Sequence, residues 1–311
     1  MRKNLIGLNF LFVFFFTTAF SQRTETVYLN ASDTTNNMYI AVLPEGKPIT
    51  AFLFLMDGFG VSPRDVLVQT KLPMAAAQTG ILTIIPILFT GPRYFGVDKG
   101  SQQSLKSMIE KVASKYQLEG MPLYLGGFSA GGGCVVKYAE LAVKENYPIK
   151  PKAIFAVDPP LDWMRFYNSA KRMTRLSAPG QANGELTYMI GRIERELGGT
   201  PAAVPQNYYN LSPYSYADTT QRAIKYLTHT PVMLISEPDI QWWLVNHGFD
   251  YTGLNIVDHG AMINELQRLG NKKAVLVTTT DKGYREPGHI RLPHSWSIAE
   301  PTAVLQWLLT Q

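Results

Sequence analysis

A serine stands between two glycines in Gly127-Phe128-Ser129-Ala130-Gly131. A serine hydroxyl is a poor nucleophile until it is held exposed beside a base, and a sharp turn from strand to helix holds it that way. The flanks suit such a turn: apolar Leu123-Tyr124-Leu125-Gly126 before it, then Gly132, Gly133 and a helical run through Cys134, Val135, Val136, Tyr138, Leu141 and Ala142. Gly127 and Gly131 let the backbone cross closely and tolerate a strained serine. A helix starting at this point aims its unpaired N–H groups at developing negative charge. Short glycine-serine patterns arise by chance in chains with 25 glycines, so the flanking elements carry the reading. The chemistry they point to is acyl transfer, which also needs an imidazole and a carboxylate. The imidazole must come from His229, His247, His259, His289 or His294.

Positioning such groups takes a rigid scaffold. Apolar runs of strand length occur at Val27 to Leu29, Met38 to Leu43, Ala51 to Met56, Ile81 to Ile85, Leu123 to Gly126, Ala153 to Val157, Val232 to Ile235 and Ala274 to Thr278. Several are apolar throughout, as strands covered on both faces of a parallel sheet are. Between them lie helical stripes. Leu105, Met108, Ile109, Val112 and Tyr116 form one, with Ser101 as its expected cap. Met262, Ile263, Leu266 and Leu269 form another that stops at Gly270, and Pro301 opens a closing helix through Val304, Leu305, Trp307 and Leu308. Strand alternating with helix predicts an α/β fold. The stretch between Val157 and Val232 is far longer than an ordinary connection. It holds helical patterns (Trp163, Phe166, Tyr167; Met189, Ile190, Ile193, Leu197) and four tyrosines, Tyr208, Tyr209, Tyr214 and Tyr216. We read it as a helical lid, about 159–228, inserted in one domain over 22–311.

Residues 1–21 read as an export signal: Arg2 and Lys3, an apolar run to Phe16, then Ala19-Phe20-Ser21 before a cleavage site at Gln22. The alternative is an uncleaved anchor, for which the run is short of the ~20 apolar residues a span needs. The expected location is secreted or periplasmic, with no stable membrane insertion after cleavage. Cys134 is the single cysteine, which excludes an intrachain disulfide framework and a multi-cysteine metal site. Removing the leader lowers the formal charge from +5 to +3. That is too mild to argue for nucleic acid or an anionic membrane surface as partner. No cluster has metal-ligand spacing and there is no glycine-rich phosphate loop, so no metal and no cofactor are expected.

The turn around Ser129 and the order of elements from Thr24 to Gln311 resemble the α/β-hydrolase fold family. The resemblance implies a mostly parallel eight-stranded sheet flanked by helices, with a nucleophile after the fifth strand, an acid after the seventh and a histidine after the eighth. For the nucleophile it implies Ser129. The acid slot reads Ser236-Glu237-Pro238-Asp239 and points to Asp239, with Glu237 as rival. Asp158 and Asp162 follow the sixth strand, where a few relatives carry the acid. The base slot offers Gly288-His289 and Pro293-His294-Ser295-Trp296; His294, nearer the last helix, is preferred to His289. The backbone N–H groups of Ala130 and Phe59 are the expected oxyanion donors. Phe59 lies in Asp57-Gly58-Phe59-Gly60, where lipase-like relatives often carry His-Gly; Asp57 departs from that pattern and is read as bonded to its own turn. Trp242, Trp243, Trp296 and the tyrosines serve as core or as an apolar pocket. The reading is an exported serine hydrolase acting on an ester or related acyl bond of a small molecule. Two alternatives stand beside it: a secreted peptidase, because Ser212-Pro213-Tyr214 resembles a segment of peptidase-like members, and a binding protein on the same scaffold.

Overall fold

Strands that are apolar along their whole length need cover on both faces, and they obtain it here. The computed structural model describes residues 23–176 and 184–311, so the expected leader over 1–21 lies outside the described residues. One sheet contains β1 (Arg23–Tyr28), β2 (Met38–Leu43), β3 (Ala51–Met56), β4 (Ile81–Ile87), β5 (Leu123–Phe128), β6 (Pro151–Val157), β7 (Val232–Ser236) and β8 (Ala274–Thr278), in the order β1-β2-β4-β3-β5-β6-β7-β8. β2 runs antiparallel to both neighbours, and every pairing from β4 to β8 is parallel. This is the mostly parallel eight-stranded α/β sheet expected from the apolar runs. A small hairpin, β9 (Tyr284–Arg285) with β10 (Ile290–Arg291), follows β8. Its two-residue strands are too short to leave a sequence pattern.

The described helices are α1 (Pro63–Gln69), α2 (Leu72–Gln78), α3 (Lys99–Tyr116), α4 (Ala130–Lys144), α5 (Trp163–Leu176), α6 (Gly184–Leu197), α7 (Pro205–Leu211), α8 (Ile240–His247), α9 (Ile256–Arg268) and α10 (Pro301–Leu309). Phe52, Phe54 and Ile154 face a core shared with Leu105 and Ile109 of α3, Val135 of α4 and Met262 of α9. On the opposite face Leu53, Leu55 and Phe155 pack with Val66 of α1, Leu72 of α2 and Leu305 of α10. One cap differs in register from the sequence reading, and the glycine stop of another helix agrees with it. The cap of α3 is Asp98, whose carboxylate accepts from the Ser101 N–H at 3.0 Å; Ser101 sits inside the first turn, its hydroxyl spent on the same carboxylate. The helix with Met262 and Ile263 ends at Arg268, and Gly270 follows at φ +95°, a conformation that favours glycine.

The connection from β6 to β7 carries α5, α6, α7 and a 3-10 turn at Ile224–Leu227. Trp163, Tyr167, Ile193, Leu197 and Tyr208 form a third apolar cluster that includes Ala130 and Phe95. The insertion therefore packs against the edge of the sheet where Ser129 stands. The four tyrosines do not act together: Tyr208 and Tyr214 are buried, while Tyr216 is 72% exposed. Within the Ser212-Pro213 segment, the Ser212 hydroxyl accepts from the Trp163 N–H at 3.1 Å, a contact that anchors the start of α5.

Candidate active site

Parallel register brings the chemistry to one level. Phe128 pairs with Val157 across β5 and β6, and Val157 with Ile235 across β6 and β7. Ser129, Asp158 and Ser236 are the next residues of those three strands, so they stand side by side at the carboxyl edge. The Ser129 N–H donates to the Val157 carbonyl at 2.8 Å, and the Asp158 N–H to that of Ile235 at 2.8 Å.

Ser129 adopts φ 52°, ψ −126°, a backbone conformation that costs a non-glycine residue energy and lifts the hydroxyl out of the strand line. The surrounding glycines are required sterically. A Cβ on Gly127 would collide with the Gly131 carbonyl, and one on Gly131 with the carbonyls of Met56 and Asp57. α4 begins at once, and its first-turn carbonyl bonds are already made by Gly132 and Gly133 to Ser129.

His294 lies in the loop after β10. Its Nε2 is 3.0 Å from Ser129 Oγ, and its Nδ1 is 2.6 Å from Asp158 Oδ2. The Phe128 ring packs on the imidazole at 4.6 Å between centroids and fixes its plane. In the neutral tautomer that satisfies both contacts, Nδ1–H donates to Asp158 and the Ser129 hydroxyl donates to Nε2. Burial would raise the carboxyl of Asp158, but the hydrogen bond and charge of His294, followed by His259 and the Ser236 hydroxyl, outweigh it and hold Asp158 below the usual carboxylate range. Asp158 also takes φ 47°, the left-handed region, immediately before Pro159.

The carboxylate expected to hold His294, Asp239, does not reach it. Asp239 caps α8, accepting from the Trp242 N–H at 3.0 Å through one oxygen and pairing with Arg291 at 2.7 Å through the other. Its rival Glu237 is buried and structural. Glu237 accepts from Thr279 Oγ1, from the N–H groups of Lys282 and Gly283, and from Arg291 at 2.5 Å, tying the end of β7 to the loop after β8. Arg291, three residues before His294, thus captures both acids of the expected slot. Asp158, from the slot after β6, is the carboxylate on His294.

The other histidines are accounted for elsewhere. His289, the alternative base, is exposed at the hairpin, stacked on Tyr284 at 4.1 Å and bonded to Glu286. His247 packs among Trp242, Trp243 and Phe249. His229 is exposed and His259 is fully buried. Cys134, behind Ser129 in α4, is buried and pushed up to about 12 chiefly by that burial, so it supplies no thiolate.

Two backbone donors are free beside Ser129. Among the described residues, the Ala130 N–H has no acceptor, as expected of the first residue of a helix. In the turn after β3 the Gly58 N–H is spent on Asp57 Oδ1 at 2.8 Å and the Gly60 N–H on the Pro92 carbonyl at 2.8 Å. The Phe59 N–H between them has no acceptor among the described residues. Asp57 also accepts from the Trp296 indole at 2.9 Å, and burial, against those two bonds, raises it to about 6. Asp57 thus builds the turn, in agreement with the sequence reading. A cavity of about 320 Å³ opens at Ser129, Ala130 and His294, walled by apolar side chains that include Trp163, Phe166, Met189, Trp243 and Phe249.

No family model and no curated protein matches this sequence. Solved structures of similar shape do exist. A hormone-sensitive lipase from a metagenome library aligns with TM-score 0.58 at 13% identity, over 94% of this chain and 87% of that one. An esterase/lipase from an uncultured bacterium aligns with TM-score 0.55 at 13% identity, over 95% of this chain and 85% of that one. The acylaminoacyl peptidase of Pyrococcus horikoshii aligns with TM-score 0.53 at 13% identity, over 83% of this chain and 36% of that one. The chain has the α/β-hydrolase fold.

Proposed function

We propose that this protein is an exported serine hydrolase that cleaves carboxylic esters through an acyl-enzyme intermediate, with Ser129 as nucleophile, His294 as base and Asp158 as the acid that orients it. The observation that carries the proposal is the unbroken run of short contacts from Ser129 Oγ to His294 and from His294 to Asp158, 3.0 and 2.6 Å. In this reading Ser129 Oγ attacks the acyl carbon while His294 Nε2 takes its proton. Asp158 keeps the imidazole in the right tautomer and stabilises the imidazolium. The carbonyl oxygen, now negative, is held by the N–H groups of Ala130 and Phe59, each such donor being worth ~3 kcal/mol. His294 returns the proton to the departing alkoxide, which leaves as an alcohol. Water, deprotonated by the same imidazole, then releases the acid.

The apolar walls and the volume of about 320 Å³ suit a small acyl or aryl group. The helices between β6 and β7 are the lid over that cavity in this proposal. Export rests on the leader sequence, Met1 to Ser21. A fluorophosphonate probe tests the nucleophile: it labels the wild type and not Ser129→Ala. Turnover of short nitrophenyl esters against dipeptide amides tests the bond, and a preference for the amides would overturn the ester reading.

A further inference from the structure

Arg285 is a cation in the catalytic cavity with no anion of its own. It belongs to β9, and among the described residues that wall the cavity at Ser129 it is the one lysine or arginine. Its Nη2 donates to the His294 carbonyl at 3.4 Å, a long and weak bond, and its other donors have no acceptor among the described residues. The acids nearby are spent on other partners. Glu286 bonds His289 at 3.1 Å, Glu237 and Asp239 bond Arg291 at 2.5 and 2.7 Å, and the exposed Asp281 faces Arg291 at 3.6 Å. Asp57 accepts from the Trp296 indole and the Gly58 N–H.

The side chain of Arg285 is exposed, yet its root is fixed. Tyr284, before it, donates its N–H to Ser297 Oγ at 2.7 Å. Glu286, after it, donates its N–H to Gln69 Oε1 at 3.1 Å and accepts from the Gln69 amide through its carbonyl. A guanidinium rooted this way, with a fork of donors unspent, matches a planar anion with two accepting oxygens, and a carboxylate has that shape.

Proton traffic says which half of the substrate lies there. His294 returns its proton to the departing alkoxide, so the alcohol half of the ester lies against His294, whose carbonyl Arg285 touches. The acyl half is left to the apolar wall of Trp163, Phe166 and Met189. That wall belongs to the helices between β6 and β7, and its one charged member, Glu185 of α6, is an acid. An anion is therefore favoured at the hairpin and disfavoured at the lid. We propose that Arg285 is a specificity-determining residue, and that the preferred ester carries a carboxylate on its alcohol half. The proposal deepens the ester-hydrolase reading and rests on it.

The test compares kcat/KM for meta- and para-acetoxybenzoate with kcat/KM for the matching acetoxybenzamides, which lack the charge. Taking the ratio within each protein cancels the reactivity of the esters. Arg285→Gln should lower the charged-to-neutral ratio about tenfold for at least one isomer, the worth of one hydrogen bond to a charged group. Arg285→Lys, which keeps the charge and loses the fork, should retain part of the preference, and Arg285→Glu should drive the ratio lower still. Nitrophenyl hemisuccinate against nitrophenyl butyrate places the carboxylate in the acyl half, and that ratio should move less than threefold. A ratio unchanged by Arg285→Gln for both isomers overturns the proposal, and a larger change in the hemisuccinate series overturns the assignment to the alcohol half. Absence of both ester turnover and fluorophosphonate labelling in the wild type would instead remove the hydrolase reading, and this proposal with it.

Discussion

Replacing Asp158 by Asn tests the acid assignment against the residue the sequence favoured. The substitution keeps size and shape but exchanges one carboxylate oxygen for an NH2 group. At 2.6 Å the carboxylate accepts a hydrogen bond from the Nδ1–H of His294. The amide either offers its own N–H, forcing Nδ1 to carry the lone pair, or offers a neutral oxygen that stabilises the imidazolium poorly. In the first case Nε2 becomes protonated and can no longer take the proton of Ser129. A wrong tautomer of this kind costs about ten-thousand-fold in kcat in serine hydrolases generally, or about 5 kcal/mol at ~1.4 kcal/mol per decade. No second carboxylate can step in, because Asp239 is committed to Arg291 at 2.7 Å and Glu237 to Arg291 at 2.5 Å. Asp239→Asn should therefore retain activity within a few-fold, losing only part of one partly exposed ion pair. The assay is kcat for a nitrophenyl ester, with fluorophosphonate labelling rates as a second measure. If Asp158→Asn keeps a tenth or more of wild-type kcat while Asp239→Asn loses a thousandfold, the geometric argument is wrong.

Three further substitutions, at two places, probe how the scaffold carries buried charge. Asp57 is raised from 3.8 to about 6, so the folded protein binds its proton more tightly than the unfolded chain does. Stability tied to this group is full below about pH 4 and lost as pH rises toward 6, and Asp57→Asn, which keeps an oxygen for the Trp296 indole and the Gly58 N–H, should stabilise the fold at pH 8 by about 1–3 kcal/mol in urea melts. Equal or lower stability at pH 8 would refute this. Lys137 of α4 lies 3.1 Å from Glu140, whose carboxyl burial raises to about 7 against the pull of that ammonium. Lys137→Met should cost about 3 kcal/mol by stranding Glu140, and adding Glu140→Leu should recover most of it; a double variant no more stable than the single one would show the pair itself to be the stabilising element.

The sheet was legible because most of its strands are apolar without alternation, and seven of the eight runs lie within strands; β1, Arg23–Tyr28, is largely polar, and only Val27 and Tyr28 of the run expected there fall in it. Ser129 was legible because its local surroundings, a strand, two obligatory glycines and a helix, are contiguous in the chain. The α3 cap was misplaced because Asp98 and Ser101 are both good capping residues three positions apart, and the sequence does not say which one turns out of the helix. The hairpin at Tyr284 and Ile290 left no periodicity to read, yet it is what sets Arg291 and His294 in place.

The acid illustrates a different limit. Asp158 and Asp239 each follow a buried strand, and β6 and β7 are neighbours, so both loops open on the same edge. Local chain chemistry cannot separate them, since the choice depends on which cation takes which carboxylate across the sheet. Arg291 was the available signal: a guanidinium three residues before the histidine needs an anion, and its hairpin brings it to Glu237 and Asp239 at 2.5 and 2.7 Å, with the exposed Asp281 farther off at 3.6 Å. Once those two are neutralised, the histidine is left with the carboxylate that no arginine holds. Asp158 meets that condition at a structural cost, a left-handed backbone ahead of a proline, which normally favours extended geometry in the residue before it. Strain at both Ser129 and Asp158, on adjacent strand ends and in the two residues that flank His294, marks the edge of the sheet where the chain gives up backbone comfort to bring three side chains together.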